Sequence, residues 1–421
     1  MSINKAMWTG VSGLAAESQA LGVVGDNIAN SNTLGFKMSR ALFEDVLGGA
    51  VGQNLGGGVR MNRPQQIFSQ GTMMNTGQAT DLALTGDGFF VVNGSLGGVQ
   101  GSFYTRAGNF NPDANGILVN AQGLHVQGYG VNPDGSINGK IGDIQLPTGP
   151  LPAKATPNVE IDANLDASQA VDPIPFDPTA PSTTSDYSSP MVIYDSLGGE
   201  HQVDVYYKKT ADNTWDYHVL VDGAELDPAQ VGNVQLSTGS LSFDPTTGGL
   251  PAPPAASFTA TFAGGAAPNQ TVTLDFGSGG MDGLTQVVGG SINTFISKEG
   301  YASGTLSGVN VEPDGTVMGV YSNGEELAVA QLAIAKFASN QGLARAGQNS
   351  WAETRGSGEA TLGAAGTGGR GPILAGALEQ SNVDIAGQFV AMISHQRSFQ
   401  ANSKTITTAD EMMQEIVNLK R

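Results

Sequence analysis

Proline is distributed so unevenly along the 421 residues that it decides where long helices can form. Fifteen of the 20 prolines lie between Pro147 and Pro268, none lies in residues 1–63, and none follows Pro372. A proline within a helix removes a hydrogen bond and clashes with the preceding turn. Both ends can therefore be long helices, and the middle must be built otherwise.

The N-terminal end carries helical periodicity. Met7, Leu14, Leu21 and Ile28 recur every seven residues, with Ile3 and Val11 beside them. Ser2 is the expected N-cap, and the pattern fades at Asn30-Ser31-Asn32 before a stop at Gly35. The C-terminal end is more regular. Ile385, Met392, Phe399, Ile406 and Met413 form an unbroken seven-residue column. Phe389 and Val417 begin and end a second column, which Gln396, Ser403 and Asp410 interrupt. Ser381-Asn382-Val383-Asp384 reads as a capping sequence with an acid in the first turn, and Lys420-Arg421 suit the negative end of the helix dipole. A sustained seven-residue apolar repeat is a seam facing another helix. The partner is either another copy or the other end of the same chain. From Asp384 to Lys404 only Asp384, Arg397 and Lys404 are charged, which suits a helix with protein on most sides.

Between the ends the period changes to two. Val203, Val205 and Tyr207 alternate with polar residues, and Trp215, Tyr217, Val219 and Val221 repeat the pattern after a turn at Asp212-Asn213. Val272, Leu274 and Phe276 form another strand; Val309 and Val311 lead through Glu312-Pro313-Asp314-Gly315 to Val317 and Val320. Nine prolines in 147–190 mark the entry to a separate β domain. The glycine-rich stretches 48–58 and 356–371 read as surface segments or linkers.

The chemistry available is narrow. There is no cysteine, which excludes disulfides and thiolate metal sites. No run of about 18 apolar residues occurs, so no helix is expected to insert in a membrane. Residues 1–24 hold one lysine and no compact apolar block, so no cleaved signal peptide is expected. A net charge of −19 disfavours nucleic acid, whose binding depends on Lys and Arg. His125, His201, His218 and His395 are scattered, and His218 sits on the polar side of its strand, where a solvated histidine is expected. Asp162-Ala163-Asn164-Leu165-Asp166 starts like a calcium loop, but Ala167 and Pro173 stand where glycine and glutamate belong. The turns at 132–135 and 312–315 are turns first and acid sites a distant second. No phosphate loop, dinucleotide fingerprint or nucleophile elbow is present. The chain is expected to have no catalytic residue, metal or cofactor.

Several blocks resemble motifs of the bacterial flagellar rod and hook axial proteins. They are Ala29-Asn30-Ser31-Asn32-Thr33-Leu34-Gly35-Phe36-Lys37, then Asp81-Leu82-Ala83-Leu84-Thr85-Gly86-Asp87-Gly88-Phe89-Phe90, and Tyr104-Thr105-Arg106-Ala107-Gly108-Asn109-Phe110. At the far end stand Ser381-Asn382-Val383-Asp384, Gln396-Arg397-Ser398-Phe399-Gln400-Ala401-Asn402 and Asp410-Glu411-Met412. Tyr194-Asp195-Ser196-Leu197-Gly198, the segment from Asp314-Gly315-Thr316 to Tyr321-Ser322-Asn323-Gly324, and Asn418-Leu419-Lys420-Arg421 favour the hook branch. Residues 150–190 and 225–270 carry little of the resemblance.

The resemblance implies an α+β fold. Long N- and C-terminal helices pair in a coiled-coil-like inner domain, with two mainly-β outer domains, one inserted in the other. The expected parts are a helical polymerisation domain (1–33 with 384–421), connecting segments (34–70 with 373–383), a β-rich middle domain (71–147 with 298–372) and a β-rich inserted domain (148–297). It implies a subunit exported without a cleaved signal through the flagellar type III apparatus. Outside the cell it polymerises with itself into a curved tube. Expected neighbours are the distal rod, the hook cap and the hook–filament junction proteins. The alternatives are a distal rod subunit, against which the 147–297 insertion argues, and an acidic secreted calcium-binding adhesin.

Overall fold

In a computed structural model the chain is described over residues 3–47, 56–132 and 135–418. Ser2, the glycine-rich stretch 48–55, Pro133-Asp134 of one expected turn, and Leu419-Lys420-Arg421 lie outside the described residues. Among the described residues there are three α-helices: α1 (Ile3–Ala29), the four-residue α2 (Pro181–Thr184) and α3 (Ile385–Asn418). The rest of the described chain is strand, short 3-10 helix, turn and irregular segments. No described helix is long and apolar enough to cross a membrane. The chain divides into two compact units: 1–148 with 308–320 and 326–421, and 149–307 with 321–325.

The second unit contains two sheets that share one core. One sheet is a four-stranded antiparallel meander, Tyr187–Tyr194, Glu200–Ala211, Thr214–Asp222 and Asn233–Ser242. The register of its second and third strands pairs Val205 with Val219 and Tyr207 with Tyr217, so the alternating residues share one face. Asn213, at φ 57°, makes the turn between them. The other sheet is built around Asn158–Asp166, which runs parallel to Gln270–Asp275 and Gly280–Val287 and antiparallel to Ile292–Lys298. Trp215, Tyr207, Val205, Ile161, Val272 and Phe258 meet in the core. Asp162-Ala163-Asn164-Leu165-Asp166 is therefore a strand: Asn164 Oδ1 accepts from Val287 N at 2.9 Å, and Asp166 caps a turn at Ser168.

His218 departs from its expected place. Its ring stacks on Phe176 at 3.9 Å and is half-buried. Phe176 belongs to the proline-rich stretch after Asp166, which Lys208 and Lys209 pin to the sheet. Lys208 Nζ lies 3.5 Å from Asp172, and Lys209 Nζ donates to the carbonyls of Ala167 and Gln169. Little periodicity was legible there because side chains of the sheet, not its own pattern, hold the segment.

In the first unit Phe89–Leu96 and Val99–Thr105 form a hairpin at the centre of a larger sheet with His125–Val131 and Glu326–Leu332. The turn at 312–315 forms as expected, with Gly315 at φ 89°. The glycine-rich stretch 356–371 is a surface segment, most of it exposed or half-buried, and not a free linker: Thr361–Gly363 pairs with Ile334–Lys336, and Ser357 and Ala365 are buried. Between α1 and the sheet, Phe43–Leu47 pairs with Gly56–Met61, and Val59 N donates to Ser12 Oγ of α1 at 3.1 Å.

Candidate functional site, a helix pair on a buried ionic node

The two long helices lie against each other along a seam of small and polar residues. On α1 the buried positions are Gly10, Gly13, Ala16, Ala20, Val24 and Asn27. A Cβ on Gly13 would sit 2.6 Å from the Asn402 amide, and one on Gly10 would sit 2.9 Å from Ile406 Cγ1. Glycine at these positions is what lets the helices approach. Glu17 Oε2 is 2.7 Å from His395 Nδ1, and Asn27 Nδ2 donates to Gln388 Oε1 at 2.9 Å. Asn27 also donates to Ser39 O and accepts from Ser39 N, tying α1 to the chain that leaves it.

The large residues of the two expected columns sit differently. Met7, Leu14, Leu21 and Ile28 are half-buried, as are Met392, Ile406 and Met413. Ile385, Phe389, Phe399 and Val417 are exposed, Phe389 by 49% and Val417 by 66%. Trp8, Val390, Ile393, Met412 and Ile416 are exposed as well. The inner face of α3 was nonetheless written in the sequence: Gln388, His395, Asn402 and Ala409 also recur every seven residues. Reading only apolar columns hides that one.

Where the helices meet the β unit, the motif blocks converge. α1 ends at Ala29, where Asn30 Nδ2 returns to Asp26 O and Thr33 Oγ1 donates to Asn30 Oδ1. Gly35 has φ 66°, and a Cβ there would lie 2.5 Å from Ala107 N. Phe36 and Lys37 are buried. Lys37 Nζ is 2.6 Å from Glu379 Oε1, with both side chains out of solvent, and also donates to Ser69 O. Arg106 Nη1 is 3.5 Å from the other Glu379 oxygen, and the guanidinium donates to the carbonyls of Leu84 and Gly86. Gly86 and Gly88 form the turn before Phe89, whose ring meets Phe68, Phe337 and Trp351, with Arg106 over its face. Asn382 accepts from Met38 N and donates to Ile67 O and Ser69 O. Asp384 caps α3 by accepting from Ala386 N, so the acid is the cap itself and the first turn has none.

Burial pulls both the Lys37 ammonium and the Arg106 guanidinium below their ordinary values, and Glu379 opposes the shift in each. One carboxylate thus holds two desolvated cations, with the carbonyls of Ser69, Leu84 and Gly86 as further acceptors, while Arg106 Nε is buried without a partner. This is a brace between four chain segments. Lys37 and Arg106 stood within recognisable blocks, but Glu379 carried no sequence signal. Of the remaining motif residues, Asn402 faces Gly13, while Gln396, Arg397, Gln400 and Ala401 are exposed along α3. Among the described residues no group of three or more His, Asp or Glu is arranged to hold a metal ion.

Comparison with known proteins matches four stretches of the chain to family models. Residues 7–37 match the flagella basal body rod protein family, 83–164 the flagellar hook protein FlgE/F/G D1 domain, 164–301 the flagellar basal body protein FlaE D2 domain, and 374–419 the flagellar basal body rod FlgEFG protein C-terminal family. The flagellar hook protein FlgE of Salmonella typhimurium is 37% identical over 418 residues, covering 97% of this chain and 98% of that one. That of Escherichia coli K12 is 36% identical over 416 residues with the same coverage, and that of Rhizobium meliloti is 36% identical across the full length of both. The crystal structure of Helicobacter pylori flagellar hook protein FlgE2 superposes with a TM-score of 0.52 at 18% identity, covering 71% of this chain and 98% of that one, and shows a shared fold. With relatives above 30% identity along nearly its whole length, the chain belongs to the flagellar hook protein family.

Proposed function

We propose that the chain is a structural subunit that polymerises into the flagellar hook, the curved flexible tube coupling rod to filament. It is not an enzyme. The observation that carries the reading is the unpartnered apolar surface of α3, on which Ile385, Phe389, Val390, Ile393, Phe399, Ile416 and Val417 are exposed. Burying one large apolar side chain contributes roughly 1.5–3 kcal/mol. An isolated pair of long helices leaves that gain unrealised, and other copies of the chain supply it on assembly. The seam residues proposed for this role are Met7, Leu14, Leu21 and Ile28 with Ile385, Phe389, Met392, Phe399, Ile406, Met413 and Val417. The subunit reaches the cell exterior through the flagellar type III apparatus and meets the rod, the hook cap and the junction proteins there.

The rest of the chain forms the outer part of the subunit. Residues 148–297 make a self-contained β domain inserted in a second one (71–147 with 298–372). The separate core around Trp215 supports this reading. Expressed alone, 148–297 should melt cooperatively; a random-coil circular dichroism spectrum would count against it.

Deletion of residues 1–30 and 384–421 tests the assembly reading. The remaining chain should stay soluble and folded and fail to sediment as tubes at high concentration. Phe399→Asp should act in the same direction, because assembly would bury its charge. Tubes of normal diameter from the doubly truncated chain would remove the terminal helices from the joint.

A further inference from the structure

The helix pair is inverted relative to an ordinary amphipathic pair. An isolated apolar helix gains most by turning its large side chains toward its neighbour. Here α3 turns Gln388, His395 and Asn402 toward α1 and leaves Phe389, Val390, Ile393, Met412 and Ile416 exposed. Three levels of the seam are matched one to one: Asn27 with Gln388, Glu17 with His395, and the notch at Gly13 with Asn402. Asn27 cannot follow a rotating partner, because its amide is also held by both backbone groups of Ser39.

We infer that the column Gln388, His395 and Asn402 is a facing key: it selects which side of α3 meets α1 and so keeps the apolar side free. Apolar contacts are non-directional and would accept α3 in more than one rotation. Polar groups accept only a matched partner, since a buried donor or acceptor left unpaired is penalised. Single buried amides act this way in coiled coils, where they fix register at a cost in stability. Asn27 is 1% exposed, so the penalty applies to it in full. That the freed face serves other copies rests on the assembly reading above; the key itself is a property of one chain.

The chain has no cysteine, so an introduced pair reports alone. Ala6→Cys with Ala409→Cys reports the observed facing, because Ala6 and Ala409 line one groove between the helices and neither is a glycine of the seam. Ala6→Cys with Glu411→Cys reports a turned helix, because two residues correspond to about 200° around the axis. Both pairs are oxidised in dilute, unassembled full-length protein, so failure to polymerise does not affect the result. In the otherwise unchanged chain the first pair should dominate by about tenfold or more, the ratio expected from losing one buried polar partner. Gln388→Leu/His395→Leu/Asn402→Leu should raise the turned pair to comparable yield. Retention of the original preference in that variant would overturn the inference. The Glu17 and His395 rung gives a second comparison that holds even if the triple variant loses helix. His395→Glu alone places two carboxylates together and should lower the native cross-link. The exchange Glu17→His/His395→Glu should restore it, and an exchange no better than the single change would equally overturn the key.

Discussion

The unit around Trp215 and the terminal helix pair solve opposite problems. The first buries its large residues: Trp215, Tyr207, Phe262 and Phe276 are essentially out of solvent. Its exterior is acidic, with 19 Asp and Glu against four Lys and no Arg over 149–307 and 321–325. Two of those lysines, Lys208 and Lys209, are buried. The helix pair buries glycine, alanine and amides and exposes Trp8, Phe389 and Val390. A surface of one sign stays solvated and repels its like, whereas an exposed apolar surface of this extent is an association site. The acidic unit carries its own core, and on the assembly proposed above the helices are completed by other chains.

That contrast can be broken by the largest effects first. Trp215→Ala should destabilise its unit by about 3–5 kcal/mol, read by chemical denaturation. Phe389→Ala in unassembled protein should stay within about 0.5 kcal/mol, as for a surface site. Similar losses from both would mean that the helix face is already satisfied in the single chain. Glu379→Ala should be as costly as the tryptophan change, about 3–5 kcal/mol, because it strands Lys37 and Arg106 without their buried counter-charge. A neutral outcome in urea titration would remove the brace from the account.

Smaller effects sharpen the comparison. Gly35→Ala forces a side chain into a left-handed conformation against Ala107 and should cost about 1–3 kcal/mol, measured as a lowered midpoint of the first unit. The smallest is a pH effect in the acidic unit. Burial holds His218 below its ordinary value, outweighing its bond to Gln235 and the nearby Asp216. The unfolded chain then takes up the proton first as pH falls. Stability from the neutral ring is fully present above about pH 6.5 and declines below it, toward the depressed folded value. His218→Gln should flatten that decline in thermal melts taken between neutral and mildly acidic pH. An unchanged acid limb would assign it to other groups.

Much of this architecture was legible from residue order. Proline placement marked the helical ends, and alternation at Val203–Tyr207 and Trp215–Val221 named both the strands and their buried faces. Strand alternation succeeds because each side chain has only two directions to choose from. The helices were harder for a related reason. A seven-residue period fixes that a stripe exists but says nothing about what covers it. Met7, Leu14, Leu21 and Ile28 were evident as a column; that Gly10 and Gly13 would carry the contact was not.

The sequence by itself determined the element types, the apolar columns and the blocks that identify the family, because each depends on neighbours close along the chain. Only the tertiary structure decided the pairings that close long loops. Glu379 reaches Lys37 and Arg106 across 342 and 273 positions, and His395 reaches Glu17 across 378. No local pattern announces such partners, since their energy exists only once the chain is closed and the water is gone. The same holds for the outward face of α3: its residues are apolar by sequence, but the small and amide side chains on the opposite side decided that it stays uncovered within one chain.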